Sequence, residues 1–90
     1  MTTTLEVIRA EALFASWLQA SQRPAPEEVR QAVSATLRRQ GIGGCAAAVA
    51  EEFGAHPDIA PARMTWALLT VRSVYPAARQ ARAARRPVAA

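Results

Sequence analysis

Cys45 and His56 are the residue types best suited to nucleophilic chemistry in this 90-residue chain, and each occurs once. Cys45 follows two glycines at the predicted start of a helix, where the helix dipole lowers a thiol pKa. A nucleophile also needs a base and a group that orients the base, and the sequence supplies no complete set. Cys45 instead begins an apolar repeat with Val49 and Phe53, as a small buried side chain does. We therefore predict a non-enzymatic protein, with a thiol-dependent redox or enzymatic role at Cys45 as an alternative.

The same two residues argue against a metal site. One Cys cannot form an internal disulfide, and one Cys with one His falls short of the four ligands of a zinc site. We predict no metal and no other cofactor. The first twenty residues carry Glu6, Arg9 and Glu11, unlike a secretory signal, and the longest apolar run, residues 45–50, is too short to cross a bilayer. These features predict a cytoplasmic protein that does not bind membranes.

The basic residues are all arginines, and they are unevenly distributed. Residues 1–74 hold seven arginines and seven acidic residues, whereas residues 75–90 hold four arginines and no acid, which accounts for the net charge of +4. On a continuous helix, Arg72, Arg79, Arg82 and Arg86 would share one side, with alanine opposite. Such a stripe suits phosphates, and the alanine face is too small for a lipid surface. The alternatives are a solvated tail and a contact with an acidic protein.

A glycine-rich segment, Gly41-Ile42-Gly43-Gly44, lies between two predicted helices. It lacks the Lys-Ser/Thr of a P-loop and the preceding strand of a dinucleotide-binding fingerprint. With Leu37 before it and Ala47 after it, the segment resembles the helix-hairpin-helix of nucleic-acid enzymes. That resemblance implies a grip on the DNA backbone by main-chain amides, although Arg39-Gln40 replaces the apolar residue usual before the first glycine. The alternative is a plain turn between helices with Gly41 as the C-cap.

Residues 49–54, Val-Ala-Glu-Glu-Phe-Gly, resemble the first helix and turn of a helix-turn-helix. This resemblance implies that the following helix, with Arg63 exposed, reads DNA. The turn that ends at Asp58 is long, and Pro57 and Pro61 stand where a standard recognition helix would run. An ordinary pair of packed helices is the alternative.

The elements that position these residues are predicted to be helices throughout. No segment alternates as a strand does, and prolines and glycines divide the chain into four helix-sized pieces. We expect helices over residues 4–21, from Pro26 to a stop at Gly41, over residues 44–53, and after Asp58 as its N-cap as far as Tyr75. The fold class is therefore all-α, a small bundle of four helices in a domain of residues 1–75. We expect residues 76–90 to form a basic, partly helical C-terminal arm.

The first predicted helix is apolar over most of its circumference. Such a helix is either central in the fold or shared with another chain. Phe14, Trp17 and Leu18 are the candidate interface of a homodimer or of a contact with a helical partner.

Together these features predict a small regulatory or accessory binding protein, with DNA as the first partner to test. The alternative is a protein-interaction module or homodimeric adaptor that uses the first helix. The candidate nucleic-acid contacts are Arg38, Arg39, Arg63, Arg72, Arg79, Arg82, Arg85 and Arg86, together with the main chain at Gly41 and Gly43.

Overall fold

The computed structural model describes residues 3–76, and their regular secondary structure is entirely helical. Helix α1 spans Thr4–Ala15, α2 spans Pro26–Ala55 and α3 spans Ala60–Val74, with a short 3-10 turn at Ala20–Gln22. The all-α prediction is thus confirmed for the described part of the chain. The predicted arm lies outside it from residue 77 onward.

The predicted count of four helices is wrong. The two expected middle helices form one element, α2, in which Gly41 alone has non-helical dihedral angles, φ 72° and ψ 171°. Glycine adopts this positive φ without the steric cost that a Cβ brings. Residues 42–44 continue as helix, so a single residue bends the element where the sequence suggested a four-residue turn.

Helix α1 ends at Ala15, six residues earlier than expected. The Ser16 hydroxyl donates to the Leu13 carbonyl at 2.6 Å, and the Ser16 backbone N–H donates to the same oxygen at 3.1 Å. The Ser16 Oγ in turn accepts from the Leu18 N–H at 3.3 Å. A serine that bonds its neighbouring backbone in this way competes with helical continuation. The chain therefore leaves the helix before Trp17.

Side chains and prolines account for two of the helix starts. The Thr3 hydroxyl accepts from the Glu6 N–H at 3.1 Å and caps α1. Pro26 opens α2, where a missing N–H costs little. The expected cap of α3 by Asp58 is wrong, because α3 begins after Ile59 and has no side-chain cap.

Helix α1 lies at the centre of the fold and packs against both α2 and α3, which contact each other less. Phe14 of α1 stacks on Phe53 of α2 with ring centroids 6.0 Å apart. Much of the apolar surface of α1 is thus buried within one chain, whereas Leu5 and Val7 near its start stay exposed. The core is completed by side chains from all three helices, including Leu13, Val29, Val33, Cys45, Val49, Val71 and Val74.

Candidate nucleic-acid interface

Arg63, which the sequence suggested was exposed, is half-buried against the end of α1. Its Nε donates to the Phe14 carbonyl at 3.0 Å. Its Nη2 donates to the carbonyls of Ser16 at 3.1 Å and Leu18 at 2.9 Å. Burial lowers the pKa of Arg63, and the Glu52 carboxylate opposes that shift. The guanidinium is thus committed to main-chain acceptors within the fold.

Arg72 also has a partner within the fold. Its Nε donates to the Glu6 carboxylate at 3.3 Å, which joins α3 to α1. Of the candidate phosphate contacts, Arg63 and Arg72 therefore both serve contacts between helices.

Arg38 and Arg39 are exposed and adjacent, just before the bend at Gly41. Arg38 donates to the Ser34 hydroxyl one turn earlier. The Arg39 guanidinium lies over the Trp17 ring, 5.8 Å from its centroid, within the range of a cation–π contact. The structure thus brings one candidate phosphate contact, Arg39, onto Trp17, which the sequence analysis placed in the candidate protein interface.

The three candidate interface residues differ in burial: two belong to the core and one is exposed. Phe14 and Leu18 are each only 4% exposed and belong to the core, so they do not form an outer face of this chain. Trp17 is 54% exposed. Because α1 ends at Ala15, the Trp17 ring lies against α2 and does not follow the Phe14 stripe. The one sequence signal for this arrangement is Ser16, a residue type that favours helix ends.

Trp17 and one face of α2 enclose a groove of about 540 Å³, here called the Trp17 groove. Arg30, Ser34 and Arg38 recur every four residues and so share that face. Arg30 is partly neutralised by Glu27 at 2.7 Å, and it also donates to the Val74 carbonyl at 3.2 Å. The described lining residues include no acid: they are Trp17, Arg30, Gln31, Ser34, Ala35 and Arg38.

These positions give little support to the resemblances to a helix-hairpin-helix and to a helix-turn-helix. Residues 42–44 are helical, so the two helical parts of α2 meet at Gly41 alone and not in the four-residue turn that the resemblance implies. In the helix-turn-helix interpretation, α3 would present Arg63 to DNA, but Arg63 faces the carbonyls of α1. The main chain at Gly43 lies within α2.

Cys45 is 1% exposed, and burial raises the pKa of its thiol. Glu11 raises that pKa further, whereas Arg39 opposes the shift. A raised pKa keeps the thiol protonated at neutral pH, which is unfavourable for a nucleophile. The imidazole Nδ1 of His56 lies 3.1 Å from a Glu52 carboxylate oxygen, in an exposed pair.

Two further properties hold for residues 3–76. No helix among them is both long enough and apolar enough to cross a membrane. They also bring together no group of three His, Cys, Asp or Glu side chains that could hold a metal ion. Four candidate phosphate contacts lie beyond these residues: Arg79, Arg82, Arg85 and Arg86.

The chain matches no family model. Comparisons with curated proteins and with solved structures also find no match. Functional inference therefore depends on the residues themselves.

Proposed function

We propose that this protein is a small, non-enzymatic regulatory or accessory protein of the cytoplasm that binds nucleic acid by contacts to phosphate. Arg38 and Arg39 are the contacts within the described residues, and the arginines of residues 77–90 add charge. The observation that carries this proposal is the position of Arg38 and Arg39, exposed side by side next to a groove whose described lining contains no acid.

Charge and chemistry support the same assignment. The guanidinium group presents a rigid fork of donors that matches phosphate oxygens. Phosphate contacts carry most of sequence-independent affinity for nucleic acid, and each one adds to its dependence on salt. The buried free thiol of Cys45 is compatible with a reducing compartment, which supports the cytoplasmic assignment.

The test is a salt titration of binding to a labelled oligonucleotide. We expect log Kd to rise linearly with log salt, and we expect Arg38→Gln and Arg39→Gln each to reduce the slope by about 0.9 on a duplex or 0.7 on a single strand. Arg23→Asn is the matched control, because Arg23 is exposed, lies outside the groove lining and has a φ of 47° that Asn tolerates. Absence of binding at low salt would contradict the proposal.

A second candidate function is self-association or partner binding through α1. Its support is the exposure of Leu5 (52%) and Val7 (39%), with Val7 beside a groove of about 430 Å³ that Met64 and Leu68 also line. This surface differs from the predicted one, since Phe14 and Leu18 are buried. A dimer mass in solution that Val7→Glu converts to a monomer would support it.

A further inference from the structure

We propose that the Trp17 groove receives an unpaired base of a single-stranded nucleic acid, with the Trp17 ring stacked on the base. Arg38 and Arg39 then contact the neighbouring phosphates. This inference rests on the proposed function and specifies the class of nucleic acid that the protein binds.

The first support is the exposure of the ring. Phe14 and Phe53 stack on each other, and Trp66 is half-buried with Arg63 5.2 Å from its ring centroid. Trp17 instead leaves 54% of its surface in water. A flat aromatic surface of this kind binds bases in proteins that hold single strands, and it does so with little sequence preference because every base has a π face.

The second support is the composition of the groove. The groove is open to solvent over a volume of about 540 Å³, so a base can enter it from the surface. Gln31 and Ser34 offer polar groups near the base edge, and Arg38 supplies a cation at the rim. Arg39 lies over one face of the ring, 5.8 Å from its centroid, so the base takes the face that Arg39 leaves open and the guanidinium is a second cation beside it. A stacking ring beside cations is the combination that single-strand sites use.

The third support is that the groove suits a single strand better than a duplex. An α-helix reads a duplex by entering the major groove with a protruding face. The α2 face that carries Arg30, Ser34 and Arg38 borders a groove shared with Trp17, so this face is not a protruding ridge on its own. In a duplex the bases are also stacked, and removing one from the stack costs a few kcal/mol. A single strand presents its bases without that cost.

The experiment compares three ligands with equal numbers of phosphates. They are a single-stranded oligothymidylate, an abasic strand of the same length, and a duplex of matched phosphate count. Phosphate contacts alone give similar affinity for the first two. We expect the full-length protein to bind oligothymidylate about 5- to 150-fold more tightly than the abasic strand. We also expect Trp17 fluorescence to be quenched, with Trp17→Phe retaining only the Trp66 signal.

Two variants separate stacking from general apolar contact. Trp17→Leu keeps an apolar side chain and removes the aromatic ring, so it should bind oligothymidylate and the abasic strand equally. Leu69→Ala is the matched control, because Leu69 is 59% exposed and lies outside the groove lining. This control should keep the full preference for oligothymidylate.

The outcomes distinguish this inference from the proposed function. Equal binding of oligothymidylate and the abasic strand by the unmodified protein overturns the base-stacking site and leaves phosphate binding intact. Tighter binding of the duplex than of oligothymidylate does the same. No binding of any of the three ligands at low salt overturns both. A dimer mass that Trp17→Leu reduces to a monomer assigns the ring to a protein interface and also overturns the inference.

Discussion

Arg63 supplies a cation at the end of α1, where the last turn of that helix contains no basic residue. The final carbonyls of a helix have no partner within the helix, and a positive charge there complements the dipole. From α3, Arg63 reaches the Phe14 carbonyl in the last turn of α1 and the Ser16 and Leu18 carbonyls just beyond it, 45 to 49 residues away in the chain. Its stacking on Phe14, at 5.5 Å from the ring centroid, adds a contact with the core.

We expect Arg63→Ala to lower the free energy of unfolding by about 2 to 4 kcal/mol, because it leaves several carbonyls near α1 without a donor. Arg63→Lys should recover only part of this, since an ammonium lacks the planar fork that reaches acceptors in two directions. Urea unfolding followed by circular dichroism measures the change. Arg38→Ala, at an exposed position, should stay within about 0.5 kcal/mol of the unmodified protein. A similar effect of the two alanine variants would contradict the role of Arg63.

Thr36 presents the opposite case, a buried polar group without a partner. Its side chain is fully buried, and its Oγ1 has no hydrogen-bond partner among the described residues. Thr36→Val keeps the shape and removes the unpaired hydroxyl, so we expect the free energy of unfolding to rise by about 1 kcal/mol. Thr65→Val is the control, because the Thr65 hydroxyl is exposed and donates to the Pro61 carbonyl at 3.1 Å. That change should not stabilise, and a loss of stability in Thr36→Val would show that its hydroxyl is satisfied.

At the scale of elements, the bend in α2 depends on one glycine. Gly41 has a positive φ, whereas Gly43 lies in regular helix, and a Cβ at either position meets nothing within 4 Å. The two sites therefore differ in backbone conformation and not in available space. We expect Gly41→Ala to destabilise the fold by about 1 to 3 kcal/mol and Gly43→Ala to stabilise it by about 0.5 to 1 kcal/mol.

Thermal unfolding of the two glycine variants under identical conditions tests this pair. Opposite shifts of Tm are expected because Ala is favoured in a helix and disfavoured at positive φ. Shifts of the same sign would mean that the bend lies elsewhere in residues 41–44.

The element positions show what the sequence could and could not predict. Helical class, the start of α2 at Pro26 and the apolar faces of α1 and α3 follow from propensity and periodicity, which are local properties. The end of α1 could not be predicted from these local properties. Leu18 continues the apolar pattern, whereas Ser16 turns the chain out of the helix. Because the sequence analysis placed Trp17 within the first helix, it assigned Trp17 to a different site from Arg38 and Arg39. The role of Arg63 depends on contacts with residues 13–18, which no local pattern contains.

At the scale of the whole molecule, the net charge lies near one end of the chain. Residues 3–76 are formally neutral, with seven arginines balanced by seven acids, and several of these arginines join one helix to another. Cys45 and Tyr75, both with pKa values raised mainly by burial, titrate in the alkaline range.

We expect the free energy of unfolding to be insensitive to these two groups below pH 9 and to fall as the pH rises further. Burial holds the pKa of the folded Cys45 thiol above the ordinary value of 9.0, so the unfolded chain releases that proton first. The unfolded state then binds fewer protons, and the slope of stability against pH becomes negative. Tyr75 acts in the same direction above its ordinary pKa of 10.0. Urea unfolding at intervals from pH 7.5 to 10.5 measures the slope.

Two variants test the assignment of this slope to Cys45 and Tyr75. Cys45→Ala should be less stable at pH 7.5 because it leaves a small cavity, yet its free energy of unfolding should decline less steeply between pH 9 and 10.5. Tyr75→Phe should flatten the upper end of that range. An unchanged slope in Cys45→Ala would mean that the thiol is accessible to water in the folded protein, and rapid alkylation of Cys45 would then accompany it.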